Sequence, residues 1–235
     1  MMSSNPTVGR RRTLTLAGAI AVTSAILVLA FSGAPGVQAE SGHDHGGAEA
    51  VAVKRTAKQA AFHDAMRKLW EDHITWTRLT IVSFAHDLPD LPATQARLLR
   101  NQVDIGNAIK PYYGRAAGNQ LTALLKEHIL GAVALLQAAK AGDQGAIQQR
   151  TAEWYANGNE VADFLHEANP RNWPRKTLRR MMKGHLDQTL REAVDRLQGD
   201  YDADVRDYEE IHHHILRMAD TLSRGIIKQF PRRFR

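Results

Sequence analysis

The stretch DADVRDYEEIHHHILRMADTLSRGIIKQ, residues 202–229, repeats apolar side chains at steps of three and four. Val205, Tyr208, His212, Ile215, Ala219, Leu222 and Ile226 fall on one line. At 3.6 residues per turn such a line is one face of an α-helix. His212 lies on it. His213 and His214 are rotated about 100° and 200° away and are expected to point sideways and into solvent.

The same period runs through most of the chain. Segments at roughly 57–87, 93–110, 115–140, 144–168, 175–198 and 202–229 carry apolar residues at i, i+3, i+4 and i+7. The breakers LPDLP (88–92), KPYYG (110–114), AGD (141–143), NPRNWP (169–174) and GD (199–200) separate them. Gly142–Asp143 and Gly199–Asp200 each read as a helix stop followed by an N-cap. No segment alternates with period two. The expected fold is all-α, an antiparallel bundle of about six helices joined by short connections.

Three other helices repeat the placement of a histidine on an apolar stripe. His73 runs with Phe62, Met66, Leu69, Trp76 and Thr80; His128 with Leu121, Leu124, Leu125, Ala132 and Leu135; His185 with Leu178, Met181, Met182 and Thr189. A single such histidine is ordinarily a core residue bonded to a backbone carbonyl. Four together point to a shared function, because buried imidazole nitrogens need partners and a metal ion satisfies several at once. Neutral imidazole suits copper, zinc and iron. The candidate metal ligands are therefore His73, His128, His185 and His212, with Asp104 as a carboxylate that could complete the set. Asn101, Asp104 and Asn107, three apart, form a polar line that also reads as a solvated face. Only Glu209 and His212 form an E-x-x-H pair on an apolar stripe, whereas a ferritin-like di-iron site needs two.

Residues 1–39 have the plan of a signal peptide: Arg10, Arg11 and Arg12, then an uncharged run at 13–31, then small residues at Val37 and Ala39. Cleavage is expected after Ala39, giving an exported protein. An uncleaved segment would be its one expected membrane contact. Residues 40–55 are a flexible linker containing GHDHGG, a tract suited to loose metal binding, and residues 56–235 are the helical domain. The chain has no cysteine, so neither disulfides nor thiolate metal ligands are available. Three of its 31 Lys and Arg lie in the signal segment, leaving 28 basic against 25 acidic side chains. That mild, interspersed charge argues against nucleic acid as a partner.

The runs LWEDHITWTRLTIVS, NQVDIGNAIKPYYGRAAGNQLTALLKEHI, ANPRNWP and ILRMADTLSRGIIKQFP, within residues 65–231, resemble those of a poorly characterised bacterial family of exported helical proteins. Members carry inconsistent automatic names, glycosyltransferase and acetylglutamate kinase among them. The residues support neither: the chain lacks strand–helix alternation and a Gly-rich phosphate loop. His73, Asp104 and His128 fall inside the matching runs.

The expected function is a non-catalytic, exported protein that binds a transition metal through core histidines. One alternative is a metal-free interaction or small-ligand-binding module, with Trp, Tyr, Asn101 and Asn107 lining a cleft. A second is an enzyme using His and Asp104 as acid and base.

Overall fold

The computed structural model describes residues 55–235. The expected signal peptide, its cleavage after Ala39 and the GHDHGG linker lie outside the described residues. Within them the chain is all-helical: α1 (Ala57–Ala85), α2 (Leu91–Ala141), α3 (Gln144–Ala168), α4 (Arg175–Gln198) and α5 (Tyr201–Gln229), closed by a 3-10 turn at Pro231–Phe234.

Local chemistry accounts for the ends. Thr56 caps α1 in a reciprocal box with Gln59. The Asp143 and Asp200 carboxylates accept from the Ala146 and Ala203 amides, both at 3.0 Å. Each follows a left-handed glycine, Gly142 at φ 69° and Gly199 at φ 80°, as the sequence suggests.

The main departure is in α2, where the sequence separates helices over 93–110 and 115–140. Pro111 does not end the first of them. The helical run passes it and breaks at Gly114, whose φ of 86° lies in the left-handed region. There the chain doubles back. In a straight helix Gly106 and Gly118 would be about 18 Å apart, yet a Cβ added to Gly106 would come within 2.5 Å of the Gly118 carbonyl oxygen and overlap the Thr122 hydroxyl. The glycines let two backbones touch. A Gly106→Ala variant should therefore lose about 1–3 kcal/mol to overpacking, despite gaining up to about 1 kcal/mol in helix propensity. Urea unfolding reads the sign, and a stabilised variant would contradict the close approach.

The core gathers Trp70, Ile74, Ile105, Leu121, Trp154, Leu186, Ile211 and Ile215 from all five helices. At one end Phe62, Tyr112 and Phe234 form a triangle of rings with centroids 5.1–5.5 Å apart, and the Phe234 carbonyl accepts the Thr56 hydroxyl at 2.7 Å.

The face that α5 buries follows the expected line from Ile215 through Ala219, Leu222 and Ile226, but in the first half of the helix it lies one residue away, at Asp204, Asp207 and Ile211. Asp204, Asp207, Ile211, Ile215, Met218, Ala219, Leu222 and Ile226 are buried. Ile211, not His212, is at 0% exposure, and Val205 is exposed.

Candidate functional site

Three of the four expected histidines meet in the core. His73 on α1, His128 on the C-terminal half of α2 and His185 on α4 are each 3–4% exposed. The His73 and His185 ring centroids are 5.6 Å apart, and those of His128 and His185 are 6.2 Å apart, so His185 stands between the other two. Each helix brings its histidine in by the stripe on which it lies: Trp70–His73–Ile74, Leu125–His128–Ile129 and Met182–His185–Leu186 are buried runs.

His212 is not a member. One residue off the buried face of α5, it pairs with Glu71, Nε2 to Oε1 at 3.1 Å, and stacks on Tyr208. Asp104 is not a member either. Its side chain is 38% exposed and its nearest charge is Arg97 at 3.9 Å. The polar line to which it belongs divides, because Asn101 is fully buried and donates to the Leu69 carbonyl at 3.0 Å, whereas Asn107 is exposed. The expected Asn101–Asn107 cleft and the expected His–Asp104 acid–base pair are accordingly not formed. His214, expected in solvent, is half-buried against α4 and bonds the Met181 carbonyl at 2.8 Å.

Several residues around the cluster were not singled out from the sequence. Asn157 on α3 takes His128 Nδ1 on its Oδ1 at 2.9 Å and anchors its own amide to the Leu124 carbonyl at 3.3 Å. That anchoring orients the amide, puts the His128 proton on Nδ1 and leaves Nε2 as a lone pair. Trp154 stacks on His128, centroids 5.2 Å apart, and donates Nε1–H to the His128 carbonyl at 3.0 Å. Gln102 faces His73 Nδ1 at 3.3 Å and is fixed by the Leu98 carbonyl at 2.8 Å, while its Oε1 has no partner among the described residues. His185 Nδ1 is likewise buried without a partner there. The available signal was a polar residue on an apolar stripe: Gln102 follows Leu98 by four, and Asn157 follows Trp154 by three.

Burial dominates the electrostatics. It pushes His73 down to about 3, with His128 adding repulsion and Asn101 opposing. It pushes His128 down to about 4 against the Asn157 hydrogen bond. His185 falls well below the usual range through burial, then through His73, His128 and His214. All three rings are neutral at pH 7, so their lone pairs are free of protons. Among the described residues no three His, Asp or Glu side chains are pre-assembled into a metal-ligating group.

Beside the cluster, on the outer side of α2 and α3, lies an open pocket of about 340 Å³. Glu127, Glu153 and Glu160 line it together with Arg150, which pairs with Glu153 at 2.8 Å, and Trp154 and Asn157 form part of its wall. Both wall residues touch His128, so a pocket of net negative lining lies one side chain from the imidazoles.

A second buried polar group links α1, α4 and α5. The Arg78 guanidinium holds Asp204 with two N–H bonds and Glu192 at 3.1 Å, and Arg196 reaches Asp204 at 3.2 Å. Asp204 and Glu192 are at 0% exposure. Burial pushes Glu192 up to about 7 although Arg78 pulls the other way.

No protein-family model, curated protein or solved structure matches the chain. The chemistry must be read from these residues.

Proposed function

We propose that this chain is an exported, antiparallel bundle of six helical segments that binds one transition-metal ion through His73, His128 and His185. The observation that carries the reading is the convergence of three buried imidazoles from three helices, one of them with an unpartnered nitrogen. Burying such groups costs free energy that only partners repay. With metal–nitrogen bonds of about 2.0–2.1 Å, two imidazoles on one ion have ring centroids roughly 5–6 Å apart. The spacing of 5.6 Å is in that range and that of 6.2 Å is close to it; because His185 stands between the other two, a site using all three also requires His73 and His128 to move toward each other.

The surroundings suit ligation unevenly. His128 is ready: Nδ1–H is held by Asn157 and Nε2 is free, the outer-shell arrangement usual for metal-bound histidine. His73 must rearrange. Its Nδ1 lies 3.3 Å from Gln102 Nε2, whose hydrogens also serve the Leu98 carbonyl and Asn101 Oδ1. Ligation through Nε2 puts the ring proton on Nδ1, and the Gln102 amide must then leave its bond to the Leu98 carbonyl and turn to offer its unpartnered Oε1. With Glu153 paired to Arg150, Glu127 and Glu160 leave the pocket lining net negative, which favours cation entry beside Asn157. An all-nitrogen set in a chain without cysteine fits copper, zinc or iron(II).

The test is elemental analysis and thermal unfolding of untagged protein exposed to each metal. The expected result is one ion per chain and a stabilisation of about 2.7 kcal/mol when free metal is a hundredfold above Kd. A His185→Leu variant should bind none yet remain folded, since it removes a buried nitrogen that has no partner. His213→Ala, at an exposed position, should bind normally. Wild-type protein that takes up neither copper, zinc nor iron would refute the reading.

A further inference from the structure

A partly open apolar cavity of about 40 Å³ lies next to the histidines, lined among others by the half-buried Thr77 and Ala132 and by the buried Leu98, Trp154, Thr189 and Ala193. Its position follows from helix geometry. Thr77, Ala132 and Thr189 each come four residues after a cluster histidine, His73, His128 and His185. Four residues advance a helix by about 6 Å and return to nearly the same face. The cavity is thus the next layer of the bundle beyond the three rings, and Trp154, stacked on His128, is common to both.

Its walls are carbon for a specific reason. The threonine hydroxyls are already spent on their own helices. Thr77 donates to the His73 carbonyl at 2.8 Å, Thr80 to the Trp76 carbonyl at 2.8 Å and Thr189 to the His185 carbonyl at 2.9 Å. Their donors are thus used, the lining is almost wholly carbon, and an ordered water, which needs two to four polar partners, would find only spare hydroxyl lone pairs. The size is limiting: a buried water needs about 10–15 Å³ on this measure, and a cavity that takes benzene is about 150 Å³. The space of about 40 Å³, partly open on one side, holds two or three heavy atoms.

We propose that this cavity is a binding site for a small uncharged molecule of diatomic size, held one helical turn from the histidine cluster. Delivery of that molecule to a bound metal would rest on the metal reading above; occupancy of the cavity does not.

Dissolved xenon is the probe, followed by ¹³C-methyl NMR on metal-free protein. Methyl resonances of Leu98, Ala132 and Ala193 should shift and saturate with xenon pressure, while those of Leu216 and Val205 on α5 stay put. Ala132→Leu, which fills the space, should abolish the shifts. Leu98→Ala, which enlarges it, should tighten xenon binding, and this variant keeps the test decisive if the filled one does not fold. Methyls that ignore xenon in both wild type and Leu98→Ala would mark the space as a packing void and overturn the proposal. Elemental analysis of the same sample decides the metal reading separately, so either can fail alone.

Discussion

Acidifying the metal-free protein from pH 7 to pH 4 should remove much of its stability. His73 and His128 are held down to about 3 and about 4 in the fold, and His185 lower than its usual range, all chiefly by burial. In the unfolded chain a histidine titrates near 6.5. A depressed pKa contributes stability that is fully present above the unfolded value and is lost as pH falls toward the folded one. At pH 4 the loss is about 3 kcal/mol for each of His73 and His128, in a domain whose whole stability is about 5–15 kcal/mol. Glu192 works in the opposite sense. Its pKa is raised to about 7, so its contribution is present below the unfolded value near 4.5 and lost as pH rises through 7. Acidification returns about 3 kcal/mol from that group. The net remains a loss, with greatest stability near neutrality. His214, half-buried and facing His185, is also lowered by burial and adds to the acid side. Urea midpoints across pH 4–8 measure the curve. His185→Leu should flatten its acid limb, and an unchanged limb would mean that these rings are not buried as described.

Replacing Arg78 by alanine should cost about 3–5 kcal/mol, the loss usual when one partner leaves a buried ion pair. Arg78 is the cation shared by Asp204 and Glu192, both fully buried, and its guanidinium lies 5.4 Å over the Tyr208 ring. Without it Asp204 keeps only Arg196, and Glu192 has no cation within bonding reach among the described residues. The cost should be smaller at pH 5 than at pH 8, because Glu192 can then escape by taking a proton. Pairing Arg78→Ala with Glu192→Leu should recover part of the loss. If the single variant unfolds at the wild-type urea midpoint, the cluster does not hold the three helices together.

The two polar groups explain what could and could not be read from sequence. His73, His128 and His185 were legible because each has apolar residues three and four positions before it, Leu69 and Trp70, Leu124 and Leu125, Met181 and Met182, so the stripe marks the inner face. On α5 the inner face carries Asp204 and Asp207. Charge on a buried face makes it look like a solvated one, so the apolar line through Val205, Tyr208 and His212 was the natural choice. Over those three residues it is about 100° from the buried line; from Ile215 onward the two coincide. Nothing local distinguishes a buried Asp from an exposed one when its counter-ion, Arg78, is 126 residues away. Asn101 misled for the same reason, its partner being a carbonyl on α1. The reversal at Gly114 was half visible: KPYYG announced a break but not which residue takes the left-handed turn. The Gly142–Asp143 and Gly199–Asp200 caps were legible because their chemistry is local.

The hydrogen bond from Thr56 to the Phe234 carbonyl joins residues 178 apart in the chain. The helical domain is thus almost a closed ring. Its topology does not depend on which connection is left open. A short linker from Arg235 to Arg55, with new termini cut in the exposed Ala141–Asp143 turn, would preserve every helix and move the free ends to the opposite side of α2. In such a circular permutant the histidines would keep their places while their order along the chain changed, so whatever they hold is a property of the packed helices and not of the order in which they are made.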